Sequence, residues 1–310
     1  MKPILSLYLL SILFLEANAL LAQSPDQTDE KATSFLNQFR SDYNKNMLNN
    51  KQELITEYFA DEIRLMPAYQ KTIMGKDNAL LYYKAFSARF DIKAYERVAI
   101  ETLDLGARVV ETGIFTMKLK LKGTGKEYEL IGKYQDIWKK SENTKLSLIT
   151  EAWNHNGRTE IDEQFRFVDV PAVQTAFQAH VPVNTPISFE LAALNKLMEV
   201  CITQSDHKVW SQFFTDDVIL LANFSPIHQG RKAVNKYLEQ HVREMPVFEK
   251  LDIRNDEIDH LGTYIIEYAS HIANWRSGES SGINTGKNIR IWQRQPDGSL
   301  KMFRQIGSYD

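Results

Sequence analysis

The chain repeats itself, and a repeat restricts a fold more than any single motif, because each copy must be able to form what the other forms. Phe35, Phe39, Tyr43 and Met47 recur every four residues as one face of a helix, and 154 positions later Phe189, Ala193, Leu197 and Cys201 repeat the stripe. Leu54, Ile55, Tyr58 and Phe59 return as Val209, Trp210, Phe213 and Phe214 at an offset of 155. They lead into Ala60-Asp61-Glu62-Ile63-Arg64-Leu65 and Thr215-Asp216-Asp217-Val218-Ile219-Leu220. Gly75 and Gly230 each stand fourteen residues beyond Asp61 and Asp216 and open a third amphipathic stretch, in which Tyr82 matches Tyr237. The rest of each copy is strand-like. Val109, Glu111, Gly113, Phe115, Met117, Leu119 and Leu121 alternate with Lys118 and Lys120, as in a strand packed on one face. Gly132-Lys133-Tyr134-Gln135-Asp136-Ile137-Trp138 and Gly286-Lys287-Asn288-Ile289-Arg290-Ile291-Trp292 share Gly-Lys and Ile-Trp at identical spacing. Polar turns, Ser141-Glu142-Asn143 and Gln295-Pro296-Asp297-Gly298, precede last strands over 146–154 and 300–308. Each copy therefore reads as about three helices followed by a curved antiparallel sheet, an α+β unit built twice.

Composition agrees with two packed cores. The 310 residues are 43% hydrophobic, 25% charged and 11% aromatic, close to globular averages. Thirty-seven basic against forty acidic residues give a net charge of −3 with no basic run, which argues against nucleic acid as a partner. The single cysteine, Cys201, excludes a disulfide within the chain. Lys2, an apolar core over 4–15 and small residues at Ala17, Ala19 and Ala22 follow the plan of a secretory signal peptide. That core is too short to cross about 30 Å of hydrocarbon, so cleavage after Ala19 or Ala22 is expected, leaving no membrane anchor. The domain plan is thus a signal peptide over 1–22, a spacer over 23–31, a first domain over 32–156, a linker over 157–186 and a second domain over 187–310. The mature protein is expected to be secreted or periplasmic. Thirty residues without structure would be unusual, so the linker should carry a strand or short helix packed against one domain.

Three helices followed by strands ending in Gly132-Lys133-Tyr134-x-x-x-Trp138, a turn, and Leu146-x-Leu148-x-x-Glu151-x-Trp153-Asn154 resemble the nuclear transport factor 2-like superfamily. Within it, the chain is similar to SnoaL-like and ketosteroid-isomerase-like secreted bacterial proteins. The resemblance covers 32–155 well and 187–310 moderately. It implies two cone-like α+β-barrel domains, each with a bent sheet wrapped about its helices around a deep pocket. Related domains often dimerise through their sheets, and the tandem could form such a pair within one chain or as a homodimer. No catalytic residue of the family maps onto this sequence motif by motif.

Motifs for chemistry are sparse. Gly278-Glu279-Ser280-Ser281-Gly282 fits a nucleophile elbow, but the matching Gly123-Thr124-Gly125 reads as a hairpin turn, and the helix an elbow requires is lacking. The histidines show no paired metal spacing, so neither metal nor cofactor is expected. Polar residues on apolar faces are more informative. Glu151 and Trp153 share a face of the last strand; an inward Glu151 would be desolvated and suited to act as a general base, with Tyr58 or Tyr69 donating to an oxyanion. The structural alternative is an ion pair with Lys133 or Arg64. His271 takes the place of Phe115, either as a satisfied core histidine or as a ligand contact. Between the copies Asp136 becomes Arg290, Glu151 becomes Gln305 and Trp153 becomes Gly307, so acid–base apparatus in one pocket is not duplicated in the other. Phe115, Trp153 and Asp136 are candidate ligand contacts in the first pocket. Asn223, His228, His271 and Gln305 suit neutral hydrogen bonding in the second. Three readings follow: a binding protein for a small apolar or aromatic molecule, a cofactor-independent isomerase, lyase (dehydratase) or cyclase using Glu151, and a structural protein with filled pockets.

Overall fold

The computed structural model describes residues 30–141 and 145–310. The leader, most of the spacer and the Glu142-Asn143 turn lie outside these. The first half begins with α1 (Glu30–Leu48), a 3-10 turn (Gln52–Tyr58), β1 (Phe59–Pro67), β2 (Ile73–Met74) and α2 (Lys76–Arg89). Four long strands follow: β3 (Phe90–Asp104), β4 (Arg108–Leu121), β5 (Glu127–Lys140) and β6 (Leu146–His155). The second half repeats this as α3 (Pro186–Thr203), the single turn α4 (His207–Trp210), β7 (Phe214–Leu221), β8 (His228–Gln229) and α5 (Arg231–Glu244). Its long strands are β9 (Val247–Leu261), β10 (Tyr264–Ser277), β11 (Ser280–Arg294) and β12 (Leu300–Tyr309).

Each half is one six-stranded sheet, ordered β2-β1-β6-β5-β4-β3 and β8-β7-β12-β11-β10-β9. Neither is purely antiparallel, nor closed. β1 runs parallel to β6 and β7 parallel to β12, because a whole helix-and-meander crossover separates each pair in the chain. The middle helix of the expected three is shorter than the apolar spacing suggests: Phe59 and Phe214 already begin strands. Gly278 and Gly282 flank the β10–β11 hairpin, not an elbow.

The register explains the shared Gly-Lys. Phe115 pairs with Gly132 and His271 with Gly286, and each ring lies over its glycine. A Cβ on Gly132 would stand 2.2 Å from the Phe115 ring, and one on Gly286 2.4 Å from that of His271.

One helix departs from the expected stripe. Leu36, Phe39 and Tyr43 are buried in α1, and in α3 Leu191, Asn195 and Met198 take these places at an offset of 155 to 156, while Cys201 is buried like Met47 as the repeat implies. Phe189 and Leu197 are therefore exposed, at 67% and 57%. Thr185 sets this register: its hydroxyl accepts from the Ser188 amide in a capping box, with Pro186 in the first turn.

The faces turned away from the helices pack on each other within the chain. Met66, Val110, Ile137 and Ala152 meet Ile219, Ile266, Ile289 and Phe303 in one buried cluster. Arg64 pairs with Glu257 at 2.5 Å and Arg108 with Asp259 at 2.7 Å across it, and the Thr150 hydroxyl lies 2.8 Å from that of Tyr268. The connecting segment contains 3-10 turns at Asp162–Phe165 and Thr175–Phe177, and Val173 forms a bridge to Thr72. Phe165 and Phe167 are buried in the first core.

Candidate functional site

The two concavities differ in what fills them. In the first half Glu111, Asp136 and Glu151 stand directly opposite one another on β4, β5 and β6, all fully buried. Three unpaired carboxylates would cost far more than packing returns. Arg97 on β3, itself buried, donates to Asp136 and, at 3.1 Å, to Glu151. Its guanidinium lies 3.5 Å from the Tyr134 ring centroid. Tyr43 and Tyr83 donate to the two oxygens of Glu151 at 2.8 and 2.6 Å. Arg40 and Tyr134 donate to Glu111. Burial drives the Asp136 carboxyl well above the usual range, opposed by Arg97 and reinforced by Glu151 and Glu111. Glu111 is raised by burial in the same way.

This arrangement leaves a void of about 30 Å³, lined by Tyr43, Tyr83, Tyr95, Arg97, Phe115 and Trp153 among others, room for a water or two. The expected base does not assemble here. Glu151 is held by a cation and two phenols, and the cation is Arg97, not Lys133 or Arg64, which lie on the opposite face of the sheet. Tyr58 donates to Asp42 instead. Tyr69 packs against His155, Phe165 and Phe224. Phe115 and Trp153 line the small void, while Asp136 belongs to the ion-pair network. Arg97 escaped sequence reasoning because its strand lacks a clean alternation and its second-half counterpart, Ile253, is apolar.

In the second half the concavity is open. A cavity of about 840 Å³ is lined by residues of β7, α5, β10, β11 and β12, and it brings Asn223, His228, His271 and Gln305 together. The reason is legible strand by strand: Gly307 stands for Trp153, Asn288 for Tyr134 and Ala273 for Met117. Glu267 is satisfied below the cavity by Asn195 at 2.8 Å, Trp292 at 2.6 Å and Arg290 at 3.3 Å. His271 does not bond to it; its Nδ1 lies 3.4 Å from the Asn288 amide nitrogen. His228 stacks on Tyr237 at 4.4 Å, with its Nε2 2.8 Å from the Ser225 hydroxyl, and Tyr237 stacks on His241 at 5.0 Å. Burial lowers all three imidazoles, His271 to about 4. The wall therefore offers neutral rings and amides at pH 7. Among the described residues no group of three or more His, Cys, Asp or Glu is placed to hold a metal.

No protein-family profile matches the chain, and no relative was found among curated proteins. Solved structures similar to it include a ketosteroid isomerase-like protein from Erwinia carotovora atroseptica, 15% identical, covering 40% of this chain and 94% of that one, with a TM-score of 0.35. A conserved protein from Planctomyces limnophilus is 14% identical and covers 38% and 90%, at 0.34. An NTF2-like protein with a cystatin-like fold from Novosphingobium aromaticivorans is 13% identical and covers 39% and 80%, at 0.32. The structural neighbours are thus ketosteroid isomerase-like, NTF2-like and cystatin-like proteins, each matching about two fifths of the chain.

Proposed function

We propose that this protein binds a small, largely apolar or aromatic molecule in the cavity of its second half, and that the first half is a filled structural partner. The cavity itself carries the reading: about 840 Å³ falls in the range of ligand sites, with aromatic walls and a few converging polar groups. Gly307→Trp restores the side chain found at Trp153 and tests the idea. Its new Cβ meets only the mobile end of Asn288 closely. Calorimetric titration with 2-naphthalenemethanol should give saturable binding to the wild type and none to this variant, with the fold intact by circular dichroism. Absence of binding in the wild type, or equal binding in both, contradicts the reading. On the leader over residues 1–22 alone, we also propose that the mature chain works outside the cytoplasm; N-terminal sequencing of exported protein should begin near Gln23.

A further inference from the structure

The charged residues that line the same cavity are mostly basic. Arg158, on the stretch just beyond β6, reaches from the first half to line the cavity of the second, with its guanidinium 4.1 Å from the Phe224 ring centroid. It has no ion-pair partner among the described residues. The other charged lining residues are Lys236 and Glu244, so the wall carries a net positive charge. Behind the wall stands Lys133, fully buried, whose amine donates to the His155 carbonyl at 3.0 Å and to the Asn156 side chain at 3.2 Å; burial without a carboxylate partner lowers it to about 7, so it carries only part of a charge at neutral pH. The wall histidines sense both signs: beyond burial, the charge of Lys133 lowers His228 and that of Arg290 lowers His271, while Asp310 opposes the shift of His271 and Glu244 that of His241. Asn288, Gln305 and Tyr309 add hydrogen-bond donors to the same wall. A stacked guanidinium is a pre-oriented fork for a carboxylate, and Arg158 makes no ion pair with Glu244, the acidic residue of the lining.

We propose that the ligand is an organic acid, an apolar or aromatic body bearing a carboxylate that Arg158 receives, so that the first half completes the site of the second. This rests on the cavity reading above and narrows it to one charge class.

The experiment compares 2-naphthoate with its neutral counterpart 2-naphthalenemethanol by calorimetry, using the full chain and the exposed-site variant Arg158→Gln at low ionic strength. The acid should bind at least about tenfold tighter than the alcohol, and Arg158→Gln should remove about that factor for the acid while leaving the alcohol unchanged. Equal affinities, a loss shared by both probes, or an acid preference that survives Arg158→Gln would overturn the charge assignment and leave the cavity reading standing. Binding of neither probe to the wild type would bring down both.

Discussion

The two halves share a strand order and a register, yet one closes its concavity and the other keeps it open. Position by position, the first half places Tyr83, Arg97, Tyr134 and Trp153 where the second has Leu238, Ile253, Asn288 and Gly307. The connecting segment then adds Phe165 and Phe167 to the first core. The second copy has less side-chain volume on this face, and the first holds the larger buried ion-pair network. The lesson concerns division of labour: a filled copy can supply a rigid sheet to pack against, and the open copy can hold a ligand without supporting the whole fold. The back-to-back sheets join the two roles, because Phe224, which lines the open cavity, also packs on the first core and donates its amide to the His155 carbonyl.

The sharpest way to break this contrast is to remove the cation of the filled half. Arg97→Leu strands Asp136 and Glu151 without their charge partner and should cost about 3–5 kcal/mol in urea unfolding. Gln305→Ala, at the position equivalent to Glu151, should cost less than about 1 kcal/mol, because the Gln305 side chain makes no hydrogen bond among the described residues. Similar costs for both would mean that the halves are not built differently.

Acid sharpens the comparison further. Burial lowers the His155 ring to about 4 from an ordinary 6.5, and both of its nitrogens lack partners. Below pH 6.5 the unfolded chain takes up a proton that the folded chain refuses. Its contribution is therefore complete above about pH 6.5, declines as the pH falls, and levels off below about 4, for a total of about 3 kcal/mol. His271, also lowered to about 4, follows the same sign, but its ring is partly open to the cavity and water reaching it discounts its share. His155→Phe should flatten this slope more than His271→Phe, as read from stability measured between pH 4 and 7. The reverse order would place the drier histidine in the wrong half. The smallest effect is expected at Phe189→Ser, within about 0.5 kcal/mol by thermal unfolding, because that ring lies mostly in water.

Much of this was visible in the residues. The repeat, the Gly-Lys and Ile-Trp strands and the replacement of Asp136, Glu151 and Trp153 by Arg290, Gln305 and Gly307 mark two related sheets whose concave faces differ in chemistry. Asn223, His228, His271 and Gln305 stand out as polar groups on apolar faces, and the structure gathers them around one cavity. What stayed hidden depends on three-dimensional partners. Glu151 shows an inward carboxylate, but its neutralisation by Arg97 comes from a strand separated from it by 54 residues. Periodicity alone allowed Phe189 and Leu197 to face inward, and only the capping of α3 at Thr185 fixes the alternative register. The mixed character of the sheets was equally hidden, because strand alternation is the same in parallel and antiparallel neighbours.

The seven histidines report on both halves at once. Long-range proton–nitrogen NMR spectra of their rings, recorded as 2-naphthoate is added, should show His228 and His271 shifting together in a saturable way while His155 stays fixed. Movement of His155 with His228 and His271 unchanged would place the binding site in the half described here as filled.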